Sequence, residues 1–271
     1  MNFAKTTLSL TLIGILASGC SQKVAFSEAA STDPSSQTTN PQNPVCEPGQ
    51  AINSKPTKVI FVVDQSGSNL DGPAEHPGRA TDPDKSLRFG ALSEFLGLHG
   101  IKRHMSWGMI GFKSSGAYPL TFKGVQRMPA FGGLQEMLAA LELFKSTKDS
   151  GVTPYLAGLK MAQELIASDL LAGVAAGTQY RIAFMSDGYP TDITLGSGIG
   201  EGDIDRGVEN IVRLAPSSIQ VSTVYYGLPD ATAAARLQRM AAKGGGEFLD
   251  VGKSNTLHLG DVIKVPKPSC N

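Results

Sequence analysis

The clearest pattern in the chain is an unbroken apolar run, Val59-Ile60-Phe61-Val62-Val63, that stops at Asp64-Gln65-Ser66-Gly67-Ser68. β-Branched and aromatic residues with no alternation predict a strand buried on both faces, as in a parallel sheet covered by helices. The following stretch, Asn69 to Lys85, carries Pro73, Pro77 and Pro83 with several glycines and reads as a loop and not a helix. Helical spacing returns at Ser86–Leu98, where Leu87, Phe89, Leu92, Phe95 and Leu96 recur and Gly97 and Gly100 mark the end. Met105–Phe112 and Tyr118–Phe122 read as strands joined closely enough for an antiparallel hairpin. Leu134–Phe144 and Thr153–Ile166 read as helices, with Pro154 placed in the first turn of the second. Tyr180–Met185 predicts another buried strand, Asp205–Leu214 a helix, Ile219–Tyr226 a strand, Ala231–Ala242 a helix stopped by Gly244-Gly245-Gly246, and Glu247–Val251 a last short strand.

Strands alternating with helices predict an α/β fold: a doubly wound, mostly parallel sheet with one antiparallel edge strand and helices on both faces. In such sheets ligands bind beyond the carboxyl ends of the strands. That places Asp64, Ser66 and Ser68 in a binding loop. They offer only hard oxygens, which select Mg²⁺, Mn²⁺ or Ca²⁺ over zinc or copper. Two later segments add to the set. Gly151-Val152-Thr153-Pro154 puts a hydroxyl in a loop entering a helix, and Phe184-Met185-Ser186-Asp187-Gly188 puts a carboxylate just after a buried strand. Each has an ordinary alternative: Asp64, Ser66 and Ser68 as turn residues, Thr153 as a helix cap, Asp187-Gly188 as a turn. Asp192 reads as a turn or capping residue.

Asp64-x-Ser66-x-Ser68, then Thr153, then Asp187 in Ser186-Asp187-Gly188, resembles the metal-ion-dependent adhesion site of a von Willebrand factor A (vWA) domain. The resemblance covers most of residues 57–251, including the order of elements. It implies that Ser66 and Ser68 bind Mg²⁺ (or Mn²⁺ or Ca²⁺) directly, that Thr153 does so when a ligand is engaged, and that Asp64 and Asp187 sit close, often through water. It further implies an open coordination position that accepts a carboxylate from a protein or other macromolecular partner. The implied activity is adhesion; an assembly subunit of an envelope complex is the alternative. A metal-dependent hydrolase is the third reading, for which the sequence offers no convincing general base, and no enzyme is expected.

Composition adds limits. Lys+Arg and Asp+Glu are both 24, so a formal net charge of zero gives no reason to expect nucleic-acid binding or steering to anionic membranes. The four histidines have no zinc spacing with each other or with cysteine. Gln65-Ser66-Gly67 lacks the glycine that a nucleophile elbow requires before the serine, and Gly196-Ser197-Gly198-Ile199-Gly200 does not complete a dinucleotide fingerprint. Trp107 is expected in the core.

The N-terminal 19 residues read as an export signal with a short apolar stretch, Leu8–Ala17, too short to remain as a membrane span. Leu16-Ala17-Ser18-Gly19-Cys20 resembles a bacterial lipobox, with Ala17 where Leu or Val is commoner. This implies a lipidated Cys20 and a bacterial envelope location. Ser21 points to the outer membrane under the enterobacterial sorting rule; an ordinary cleaved signal is the alternative. Residues 20–45, rich in Ser, Thr, Pro, Asn and Gln, read as a flexible tether before a domain spanning 46–271. Cys46 and Cys270 bracket that domain. Export to an oxidising compartment predicts a disulfide between them, the alternative being two free thiols. A monomer is expected. The loop 69–85, with Asp71, Glu75, His76, Arg79, Asp82 and Asp84, is either a solvated insertion or a determinant of partner choice.

Overall fold

The computed structural model describes residues 52–73, 76–102, 104–114, 116–193, 200–254, 256–266 and 269–270. Cys20 and Cys46, with the signal and tether segments, lie outside them.

The chain opens with β1 (Ile52–Asn53) and β2 (Thr57–Asp64), then the one-turn helix α1 (Ser68–Asp71) and α2 (Ser86–His99). Next come β3 (Met105–Lys113), β4 (Gly116–Pro119), β5 (Phe122–Lys123), β6 (Met128–Pro129) and α3 (Leu134–Ser146). The second half runs α4 (Tyr155–Leu171), β7 (Gln179–Ser186), α5 (Glu201–Leu214), β8 (Ile219–Tyr225), α6 (Ala231–Gly244), β9 (Gly245–Asp250), α7 (Val251–Ser254) and β10 (Ser269–Cys270). The main sheet has six strands in the order β4-β3-β2-β7-β8-β9, all parallel except β4, which pairs antiparallel with β3 at one edge. β1 pairs antiparallel with β10, so the two ends of the described chain meet.

Period-two alternation along β2 divides the core. Val59, Phe61 and Val63 face α2, α3 and the C-terminal Leu257, Leu259, Val262 and Ile263. Ile60 and Val62 face α4, α5 and α6. All five side chains are fully buried, as the unbroken apolar run requires. Trp107 is buried against Phe61, the two rings stacked at 6.3 Å.

Several boundaries differ from the sequence reading, each for a local reason. The 69–85 stretch holds the short helix α1, closed by N–H groups of Leu70 and Asp71 donating to the Gly67 carbonyl. β4 starts at Gly116, because a tight turn at Ser114 (φ 55°) closes the hairpin early. Phe122 instead joins the separate β5–β6 ribbon. α4 begins after Pro154, which sits at the cap (φ −86°, ψ 86°) and not in the first turn. Thr153 is held out of the helix by its exchange with Thr191: the Thr153 N–H donates to Thr191 Oγ1 (2.9 Å), and the Thr191 N–H to the Thr153 carbonyl (3.0 Å). α5 starts at Glu201, its first turn capped by the Asp203 carboxylate, which accepts from the Gly200 N–H at 2.7 Å.

The end of α2 yields a pH prediction. The His99 ring lies 4.5 Å from the Phe95 ring, with Nδ1 3.0 Å from Lys102 Nζ. Burial, and then the Lys102 charge, hold its pKa down to about 4. The folded state therefore resists protonation that the unfolded chain accepts near pH 6.5. Stability from this site is present above that value and falls as the pH drops toward 4, by roughly 2 kcal/mol once partial exposure is allowed for. Urea unfolding across this window should show a steeper acid loss in the wild type than in His99→Gln; parallel curves would contradict the assignment.

Candidate functional site

β2 and β7 are neighbours, and both end at the same edge of the sheet. Asp64 is the last residue of β2, Ser186 the last of β7, and Asp187 follows it. The two buried strands thus deliver their polar tails to one point. Asp64 Oδ1 accepts from the Ser66 N–H (2.7 Å) and Oδ2 from the Ser186 hydroxyl (2.5 Å). The Ser66 and Ser68 hydroxyls are 3.0 Å apart, and Ser68 Oγ donates to Asp187 Oδ1 at 2.8 Å. Asp64, Ser66, Ser68 and Asp187 are therefore joined in one hydrogen-bonded cluster. The first bond is the ordinary Asx turn as well, so the turn reading of Asp64 and the site reading coexist.

Thr153, also buried, lines the same cleft as Ser68 and Asp187. Among the described residues its hydroxyl forms no hydrogen bond with the other four. Its loop is nevertheless tied to the first: the Gly67 N–H donates to the Gly151 carbonyl (2.8 Å), and the Ser150 N–H to the Gln65 carbonyl (2.9 Å). Gly151 adopts φ +74° there, and a Cβ on it would stand 2.3 Å from Ser114 Oγ.

Asp64 is fully buried and Asp187 is 5% exposed, yet among the described residues no Lys or Arg forms an ion pair with either. Burial, and then the charge of Asp187, push Asp64 up to about 7. Burial also raises Asp187, against hydrogen bonds from Thr81 and Ser68 that favour its charged form. Two buried carboxylates with no ion-paired cation among the described residues, beside two serine hydroxyls, make a donor set suited to a hard dication. Among the described residues there is no cluster of three or more His, Cys, Asp or Glu that could hold a metal ion, so any such site here rests on hydroxyl oxygens as well as the two carboxylates.

Several contributors carry no motif. Thr81 donates to Asp187 Oδ2 at 2.5 Å, which binds the 69–85 loop to the site. Asn69, Asp82 and Lys85 anchor that loop by burial, while His76 to Arg79, Pro83 and Asp84 are exposed. Gly227 lies under Asp187, where a Cβ would come 1.9 Å from the Asp187 carbonyl oxygen. Beneath Asp64, Arg88 is fully buried and ion-paired with Asp82 (2.7 Å) and Asp149 (2.7 Å), and its Nη1 donates to the Asp64 carbonyl at 2.5 Å. Lys85 pairs with the same Asp149 at 3.0 Å. Asp192 caps α4 across space, accepting from the Leu156 N–H at 2.7 Å, in keeping with a capping role.

The cluster opens into a cleft of about 840 Å³, whose walls include Tyr189, Ile193, Tyr225 and Leu228 on one side and Asp71 and His76 on the other.

No protein-family model matches the chain, and no curated protein sequence matches it. Solved structures do. The manganese-loaded TRAP protein of Plasmodium vivax is 14% identical, with a TM-score of 0.52 over 82% of this chain and 77% of that one. The pilus adhesin SpaC of Lactobacillus rhamnosus GG is 16% identical, with a TM-score of 0.51 over 74% of this chain and 29% of SpaC. The vWF domain of the type V pili tip protein Mfa5 of Porphyromonas gingivalis is 14% identical, with a TM-score of 0.48 over 74% of this chain and 92% of that domain. The chain spans 45% of the mussel byssus matrix protein it also matches. Strand order, the antiparallel edge and the likeness to the TRAP and SpaC structures agree: the chain has the fold of a von Willebrand factor A domain.

Proposed function

We propose that this protein is a binding module, displayed on a bacterial envelope surface, that engages a partner's carboxylate through a divalent cation. Asp64, Ser66, Ser68, Thr153 and Asp187 would hold the ion, with Mg²⁺ the first candidate and Mn²⁺ or Ca²⁺ possible occupants. A bound dication would supply an electrophilic position for an Asp or Glu side chain of the partner. Asp64 and Asp187 offset its two charges, while the serine and threonine hydroxyls add neutral oxygens and leave that position strongly electrophilic. Ser186 orients the Asp64 carboxylate and Thr81 that of Asp187, while Arg88 holds the Asp64 main chain.

One observation carries the reading: a pair of buried carboxylates linked through the Ser66 N–H and the Ser66 and Ser68 hydroxyls, with no cationic side chain among the described residues ion-paired to either. The fold neighbours add support, one being described as manganese-loaded and another as a pilus adhesin. The lipobox at Cys20 supports anchoring in a membrane, and binding rather than catalysis is the function inferred.

Calorimetry on the purified full chain tests this directly. Mg²⁺ or Mn²⁺ should bind at one site, and Asp64→Ala should abolish the heat while leaving the circular dichroism spectrum unchanged. Absence of uptake of all three ions, or uptake that survives Asp64→Ala, would overturn the proposal. Pull-down from the native membrane, with and without Mg²⁺, separates recruitment of an envelope neighbour from adhesion to a foreign surface.

A further inference from the structure

Most of the large exposed apolar side chains among the described residues lie at one end, the exceptions being Leu138 (42% exposed) on α3 and Val152 (50%) beside Thr153. In a parallel sheet every helix-to-strand connection lies opposite the strand carboxyl ends, and so opposite Asp64 and Asp187. Val125 (100% exposed), Leu171 (89%), Ile101 (83%), Met128 (58%) and Leu98 (54%) all belong to the segments at that far end. The segments are neighbours. A Cβ on Gly100 would lie 2.7 Å from Leu134 Cδ1, Gly132 bridges to Trp107, and β6 packs against α4.

Charge is segregated in the same way. Residues 98–104, 120–133, 171–178 and 215–218 contain no Asp or Glu, and they carry Lys102, Lys123 and Arg127. The carboxylates nearest to them are engaged: Glu136 accepts from the Gly133 N–H (2.9 Å), and Asp169 pairs with Lys58 (2.6 Å). At the cation-site end the connecting segments mix Asp71, Asp82, Asp149 and Asp230 with Arg79, Lys85, Lys113 and Lys148. The far end is thus the one whose connections carry bases and no acids. Leu171-Ala172-Gly173-Val174-Ala175-Ala176-Gly177 has no polar side chain at all, although nearly all of it is exposed.

β1 (Ile52–Asn53) lies three residues before the start of β2, at this same end.

We propose that this end rests on an anionic lipid bilayer. Ile101 and Val125 stand on separate loops and Leu171 ends α4, each within two residues of a glycine and near a cation or an all-apolar stretch. Single apolar side chains of this kind insert between headgroups, while Lys123 and Arg127 meet lipid phosphates. Among the described residues no helix is long and apolar enough to cross a membrane, so the contact is peripheral. The cleft at Asp64 and Asp187 then faces away from the bilayer. This inference does not depend on the cation reading.

Hydrogen exchange of the full chain tests it, on vesicles containing phosphatidylglycerol and on vesicles of phosphatidylcholine alone. Exchange in 98–102, 122–128 and 171–177 should slow at least threefold on the anionic vesicles only, with or without EDTA, while 147–153 stays unchanged. The triple variant Ile101→Asp, Val125→Asp, Leu171→Asp should lose that protection and keep its melting temperature, since all three side chains are exposed. Equal protection at both ends overturns the proposal, as does protection that persists in the triple variant. Protection that appears without vesicles as protein concentration rises would identify a second copy as the occupant and also overturns it.

Discussion

Arg88→Ala should destabilise the protein by about 3–5 kcal/mol, the range for breaking a buried ion pair by removing one partner. The arginine is fully buried and holds two carboxylates, Asp82 (2% exposed) and Asp149 (4% exposed). Truncation leaves Asp82 without its cation and the Asp64 carbonyl without its donor, whereas Asp149 keeps Lys85. The loss is therefore one of stranded charge more than of favourable pairing. The double variant Arg88→Met, Asp82→Asn should consequently recover most of it, because those two charges leave together while Asp149 keeps Lys85. Urea unfolding of the two variants measures both statements. A small loss in Arg88→Ala, or no recovery in the double variant, would show that the network is not the keystone its burial indicates.

Asp187→Asn should raise stability in EDTA and remove the response to Mg²⁺. In the wild type the two carboxylates are buried in one cluster, and the Asp187 charge raises the cost of ionising Asp64. Neutralising one relieves that repulsion. The Ser68 and Thr81 hydroxyls can rotate to meet an amide, so their bonds need not be lost. A gain of roughly 1–2 kcal/mol is expected from relief of the repulsion. With metal the order should reverse, since ligand at 100 times its dissociation constant stabilises the wild type by about 2.7 kcal/mol and the variant not at all. Thermal melts with EDTA and with Mg²⁺ should therefore cross over. A variant less stable in EDTA that still responds to Mg²⁺ would contradict the site.

The legible parts of this fold were those written in consecutive residues. The run Val59–Val63 declared a strand buried on both faces, and its abrupt polar end located the cluster. Asp187 was legible for the same reason, as the first carboxylate after a second buried strand. The vWA resemblance ordered them, and the structure brings Asp64, Ser66, Ser68 and Asp187 into one hydrogen-bonded set, with Thr153 lining the same cleft. Thr81, Gly227 and the Arg88–Asp149 pair were not legible, because each acts across 61 to 106 residues of sequence or through the absence of a side chain. The start of α4 was misplaced because the Thr153–Thr191 exchange, a tertiary bond, overrides the local helix signal. Zero net charge hid the segregation of acids and bases, since a sum carries no information about position. The proposed lipidation at Cys20 and the disulfide of Cys46 with Cys270 concern residues outside the described set or side chains not described.

The strand that bears Asp64 also leads straight back to the chain's entry point. If the grip at residues 64–68 and the preceding segment are pulled apart, the load runs along β2, clamped in register by β3 over eight residues and by β7 over seven. Both flanking ladders must then slide in shear together; they cannot unzip one bond at a time. Tension between a partner and a tether would thus fall on the best-supported strand in the sheet, a mechanical path suited to holding on under flow.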